Sequence, residues 1–185
     1  MPIKSARRLA IPDVILVENA IFPDDRGFFT ELYKRTDSLA HGIPYDFVQV
    51  NLSFSRRGVV RGLHYQLKPF EQGKLVTVVS GRVLDVAVDV RKGSPWFGKH
   101  VVAELYPGFA LWIPPGFAHG FQALEDTYLL YLVTKEYNRE AERCIRWDDS
   151  ELGIQWPLRE EVIVSEKDSK CPLLKEAETN FNYPI

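Results

Sequence analysis

The sequence predicts an all-β fold, a sandwich or barrel of many short strands. Three observations carry this. Apolar residues recur in runs of strand length, several with period-two alternation. Gly and Pro turns separate the runs, at Gly27, Ser80-Gly81, Gly93-Ser94-Pro95, Pro107-Gly108 and Pro114-Pro115-Gly116. Helical periodicity is nearly absent.

Val14 to Val17 is a short apolar run and reads as an edge strand. Pro23 to Gly27 is a turn, and Phe28 to Lys34 alternates loosely, with Phe29 and Glu31 on one face. Asp37 to His41 suits one helical turn with Asp37 near its cap, ended by Gly42 and Pro44. Phe47 to Phe54 is a strand with Gln49, Asn51 and Ser53 on one face. Val48, Val50, Leu52 and Phe54 take the other. A face of polar amides suits a wet pocket better than a core.

Val59-Val60 leads into Arg61-Gly62-Leu63-His64-Tyr65-Gln66, which joins a cation, an imidazole and an amide. Strand alternation puts Gly62, His64 and Gln66 on one face, and Arg61, Leu63 and Tyr65 on the other. Gly62 would then leave room beside the imidazole for something to approach. A half-buried strand with one satisfied histidine is the plainer alternative. Lys68 to Gly73 is a loop. Strands follow over 74–79, 83–90, 99–105 and 110–113, with Asp85 and Asp89 sharing a face with Val83 and Ala87. Ala118 to Leu124 and Thr127 to Thr134 read as a hairpin through Glu125-Asp126. From Tyr137 the pattern weakens into a packed, irregular C-terminal segment. No repeat or domain boundary appears, so one domain over 1–185 is expected.

The formal net charge of -2 argues against non-specific nucleic-acid binding. No apolar run has the length of a membrane span. Met1 to Arg8 has basic residues with no apolar core behind them, unlike a secretory signal. Cys144 and Cys171 are two and far apart, and read as free thiols in a cytoplasmic protein.

Gly58 precedes His64 with five residues between them, and Gly108, Pro114, Gly116 and His119 follow a second regular spacing. Both are similar to the two motifs of the cupin double-stranded β-helix, a jelly-roll barrel. Metal-binding cupins usually place a second histidine two residues after the first. Here that residue is Gln66, a poor ligand, and Glu71 would be an uncertain third donor. No metal is expected.

The wider resemblance is to the dTDP-4-dehydrorhamnose 3,5-epimerases, sugar-nucleotide epimerases of the cupin superfamily. It rests on 25–31, 49–51, 61–66, 73–76, 85–91 and 115–121. It continues through Tyr131, Tyr137-Asn138, Trp147-Asp148-Asp149, Ile154-Gln155-Trp156-Pro157 and Ser165-Glu166-Lys167-Asp168. Ser150 departs from it, standing where relatives often carry proline.

The resemblance implies inversion of C3 and C5 of dTDP-4-dehydro-6-deoxy-D-glucose, both alpha to the C4 ketone. That chemistry needs a base, an acid on the opposite face and a cation for the enolate oxygen. By resemblance His64 is the base, Asp168 its carboxylate partner, Tyr131 the acid and Lys74 the cation. Spacing alone would leave Asp168 a surface residue, Tyr131 a core aromatic and Lys74 a solvated strand start. Arg26 and Arg61 match diphosphate-binding positions, where guanidinium forks suit phosphate. Glu31, Gln49 and Asn51 match pocket polar positions, His119 a sugar contact and Tyr137 the aromatic stacked on thymine. Glu142 and Lys167 match further binding positions. No step transfers electrons, so no cofactor is implied. The family resemblance also implies a homodimer with N-terminal strands pairing across subunits. A single-site 3- or 5-epimerase, a metal-dependent cupin oxygenase and a non-catalytic sugar-nucleotide binder are the alternatives.

Overall fold

A computed structural model describes residues 3–44 and 46–184. Met1, Pro2 and Ile185, which the single-domain and leader readings include, lie outside the described residues, as does Tyr45. In chain order the elements are β1 (Ile3–Arg8), β2 (Ile15–Asn19), β3 (Ile21–Asp24), β4 (Gly27–Thr30), α1 (Arg35–Ala40), β5 (Gln49–Ser55), β6 (Val60–Gln66) and β7 (Lys74–Ser80). They continue with β8 (Val83–Asp89), β9 (His100–Leu105), β10 (Phe109–Ile113), β11 (Phe117–Ala123), β12 (Thr127–Val133), β13 (Glu142–Cys144) and α2 (Glu166–Ser169).

One sheet has the order β1-β2-β10-β7-β12-β5, and a second the order β13-β6-β11-β8-β9. From β5 to β8, and again from β9 to β12, successive strands alternate between the two sheets. This winding is the jelly-roll arrangement the motifs led us to expect. A separate hairpin, β3–β4, stands outside both sheets.

Period-two alternation then builds three apolar layers. Between the sheets lie Val76, Val78, Leu111, Ile113 and Leu129 from one side and Val83, Ala87, Leu105, Phe117 and Phe121 from the other. Behind the first sheet pack Ile15, Val17, Leu75, Trp112 and Leu132. Behind the second, Leu63, Tyr65, Val86 and Val88 meet Ile145, Leu152, Ile154, Trp156 and Phe181, so the irregular C-terminal segment is a working layer of the core. Each such large side chain contributes roughly 1.5–3 kcal/mol on burial.

Three expectations need correction. β11 and β12 are not a hairpin: they lie in opposite sheets, because a tight turn brings the chain about without saying which sheet receives it. β2 is not an edge; β1 pairs antiparallel along it and covers its free side. Cys144 and Cys171 are not free thiols. They form a disulfide with Cα atoms 5.6 Å apart, despite 27 residues of separation, because the chain after α2 returns beside β13.

Candidate active site

The site begins with an irregularity in β6. Across β6 and β11, His64 faces His119 and Arg61 faces Phe121, so three steps on one strand match two on the other. Gly62 absorbs the extra residue with φ +116°, a conformation that L side chains rarely adopt. Strict alternation is therefore lost. Val60, Leu63 and Tyr65 go to the outer core, while Arg61 and His64 line one cavity between the sheets. This corrects the expected placing of Arg61 opposite His64. The room beside Gly62 is also taken: a Cβ there would meet Gly120 Cα and His119 O at 2.6 Å each.

α2 brings Asp168 to this strand from far along the chain. Ser165 caps α2, its Oγ accepting from the Asp168 N–H at 3.1 Å. Asp168 is 4% exposed. Its Oδ1 lies 2.8 Å from His64 Nε2, and its Oδ2 accepts the Gly62 N–H at 3.1 Å. Burial pushes this carboxyl upward, but the hydrogen bond and charge of His64, the Gly62 N–H and the Lys167 charge outweigh it. The net shift is downward, so Asp168 is ionised and Nε2 carries the proton. The Nδ1 lone pair is then the basic one.

Two lobes of about 280 and 340 Å³ share His64, Lys74, Tyr131 and Glu142. Tyr131 comes from β12, in the sheet facing His64. Burial and Glu142 raise its phenol against the lowering effect of Arg61, so it is protonated at neutral pH. Lys74 opens β7 and is 8% exposed. Burial pushes its ammonium down to about 8, against the pull of Asp85 and Glu142. Its Nζ lies 3.4 Å from the His64 carbonyl oxygen.

The first lobe is lined by Gln49 and Asn51, whose amides bond to each other at 2.8 Å, and by Tyr137. Gln49 Oε1 accepts the Tyr137 N–H at 2.9 Å. The Tyr137 hydroxyl donates to Glu142 at 2.9 Å, and Lys167 Nζ donates to the same carboxylate oxygen at 2.5 Å. Burial raises Glu142, yet those two hydrogen bonds win and hold it below its ordinary value. The second lobe receives Arg61 and His119. Arg61 is braced by donating to Ser55 Oγ at 2.9 Å and to the Phe54 carbonyl at 3.0 Å. His119 is 7% exposed, and burial lowers its imidazole despite Asp85, so it is neutral.

The fold thus gathers His64, Lys74, Tyr131, Asp168, Gln49, Asn51, Arg61, His119, Tyr137, Glu142 and Lys167 around one cavity. It does not bring Arg26 or Glu31 there. Arg26 sits at the tip of β3–β4, its side chain 89% exposed and paired with Asp24. Glu31 lines a separate small hollow beside Tyr33 and Ser38.

Two residues that sequence reasoning named without assigning them to the site support its lining. Asp85 is fully buried, 3.0 Å from His119 Nε2, with its Oδ1 unpartnered among the described residues. A carboxylate on the inward face of an apolar strand was the available signal. Gln66 is the second. Its amide donates to the Phe70 and Glu136 carbonyls and accepts the Asn138 N–H at 2.7 Å, fastening the loop that carries Tyr137. Glu71 is paired with Lys135 at 3.1 Å. Among the described residues no three His, Cys, Asp or Glu side chains are grouped as a metal ion would need.

The sequence profile of the family described as dTDP-4-dehydrorhamnose 3,5-epimerase matches residues 8–176. The chain belongs to this family. A dTDP-4-dehydrorhamnose 3,5-epimerase of Pseudomonas aeruginosa is 51% identical over 177 residues, covering 94% of this chain and 97% of that protein. The crystal structure of the Sulfolobus tokodaii epimerase superposes with a TM-score of 0.89 at 53% identity, covering 97% of this chain and 99% of that one. The Legionella pneumophila epimerase, solved in complex with dTDP-4-keto-L-rhamnose, has a TM-score of 0.89 at 43% identity, with 93% of each chain covered. The epimerase family and the cupin-type fold expected from the motifs are therefore established. Among the described residues no helix is long and apolar enough to cross a membrane.

Proposed function

We propose that this chain, as one domain, inverts C3 and C5 of dTDP-4-dehydro-6-deoxy-D-glucose to give dTDP-4-dehydro-L-rhamnose. The observation that carries the reading is the His64–Asp168 pair facing Tyr131 across one cavity that the buried Lys74 also lines. His64 Nδ1 takes the proton from the carbon alpha to the ketone. The C–H electron pair moves into the enolate, and its oxygen is stabilised by the Lys74 ammonium. Tyr131 returns a proton to the opposite face of that carbon. Water then reprotonates the phenolate and takes the proton from the imidazolium. The second centre follows the same cycle. Arg61 binds the diphosphate, Tyr137 stacks on thymine with its hydroxyl held by Glu142, which Lys167 pairs in turn, and His119 contacts the sugar. Gln49 and Asn51 supply polar contacts beside the base. The substrate is a nucleotide sugar, and the compartment we infer is the cytoplasm, where the Cys144–Cys171 bond would have to withstand reduction, since the two cysteines are not the free thiols first expected of that compartment.

The functional unit in this reading is a homodimer. The outward face of β5 carries Val50, Leu52 and Phe54, with Val48 just before the strand, all between 45% and 62% exposed and continued by Tyr128 and Val79. Such a patch suits a second copy of this chain. Phe22, Phe28 and Phe29 are likewise exposed on β3–β4. We assign Arg26 and Glu31 to the cavity of the partner subunit, reached by this hairpin.

The test is proton NMR on dTDP-4-keto-6-deoxyglucose in heavy water with a coupled reductase. Deuterium entering both C3 and C5, with formation of the rhamnose product, is the expected result. Exchange at one centre alone would select a single-site epimerase, and none at all would refute the reading. For the dimer, mixing inactive His64→Asn with inactive Arg26→Ala after subunit exchange should restore activity.

A further inference from the structure

The Cys144–Cys171 bond joins the two elements that flank the His64–Asp168 pair. Cys144 is the direct Cα partner of His64 across β13 and β6. Cys171 closes the turn after α2, its N–H donating to the Asp168 carbonyl at 3.3 Å. Besides the disulfide, α2 is held by polar contacts, Asp168 with His64 Nε2 and the Gly62 N–H, and Lys167 with Glu142 at 2.5 Å. It is four residues long, too short to persist alone. Between 165 and 171 the buried residues are Asp168 and Cys171. One of these is an ionised carboxylate, which water would solvate better than a protein interior does. No apolar side chain of α2 opposes its departure; the covalent bond does, alongside the solvent-competed polar contacts of Asp168 and Lys167.

We propose that Cys144 and Cys171 are positioning residues for epimerisation, their bond holding the Asp168 carboxylate on His64 Nε2. The inference rests on the roles given to His64 and Asp168 above. It predicts an effect that runs through Asp168, beyond any general stapling of the fold.

The experiment compares wild type with the Cys144→Ser/Cys171→Ser double variant, each also carrying Asp168→Asn, by deuterium exchange in heavy water. The serine pair is expected to lower kcat about tenfold with KM within about twofold. With Asp168→Asn present the same pair should change kcat by less than about twofold. Far-UV circular dichroism checks that each variant is folded. Reducing wild type with dithiothreitol should act like the serine pair: the reagent gives two electrons and two protons to the cystine, yielding two thiols and its own cyclic disulfide. Reoxidation should restore the rate. A second readout is independent of turnover. The downfield imidazole N–H resonance of the His64–Asp168 hydrogen bond, identified by its absence in His64→Asn, should vanish in the serine pair. An unchanged resonance, an unchanged kcat, an equal fall in the Asp168→Asn background, or unfolding on reduction would each overturn the proposal. Inactive wild type would refute the epimerase reading instead, while the resonance would still decide the role of the disulfide.

Discussion

Lys74 shows how one side chain couples stability to chemistry. Its ammonium is buried and titrates at about 8 instead of 10.5. In the proposed mechanism only the charged form stabilises the enolate, so kcat should fall as pH rises through about 8. Lys74→Arg, whose guanidinium stays charged, should shift that limb upward in a pH–rate profile. Stability runs the opposite way. The unfolded chain binds the extra proton between these two values, so this group makes the fold more stable as pH rises there, by roughly 3 kcal/mol in total. Urea unfolding at pH 7.5 and pH 10 would detect the trend. His64→Asn should lower turnover by about 10²–10⁴ while dTDP still binds, measurable by calorimetry beside the exchange assay. Sequence reasoning reached these residues unevenly. His64 announces itself within a motif. Asp168 lies 104 positions away, so its partnership rested on family resemblance until the fold brought α2 to β6. Asp85 was visible as an inward acid on its strand, yet nothing local named His119 as its partner.

At the scale of elements, the period-two pattern and the Gly and Pro turns were enough to locate most strands. Which strands pair was less legible, because turn residues describe a local reversal and the sheets are sorted by distant contacts. β6 is the clearest failure: alternation predicted the wrong face for Arg61 because a glycine bulge cannot be read from hydrophobic periodicity. That bulge is testable. Gly62→Ala and Gly120→Ala each place a Cβ within 2.7 Å of backbone across the same strand pair. Both should lower the thermal midpoint, and Gly62→Ala should also reduce kcat by turning Arg61 and His64 out of register. The disulfide was misread for a similar reason. Only the return of the chain after α2 makes the two cysteines neighbours, and the 27-residue separation concealed it. Closing a loop of that length constrains the unfolded chain by roughly 3–4 kcal/mol, which denaturation of the serine pair should recover as lost stability.

At the scale of the molecule, β5 turns its polar side inward and its apolar side to the surface. The amide face was correctly legible as pocket lining, whereas the meaning of Val48, Val50, Leu52 and Phe54 depends on what lies outside the chain. Leu52→Asp, on a side chain 62% exposed, should leave the fold intact but convert the proposed dimer to monomers in sedimentation. Gln66 has a different reach. Its amide is already spent on two carbonyls and one N–H, so it is no vacancy left by a missing ligand. Retrofitting an imidazole at that position, with one donor and one acceptor, would leave at least one of those three main-chain groups unpartnered and loosen the loop that carries Tyr137. A histidine there would trade this anchorage for a ligand, so a metal site cannot be gained at this position without loosening the Tyr137 loop.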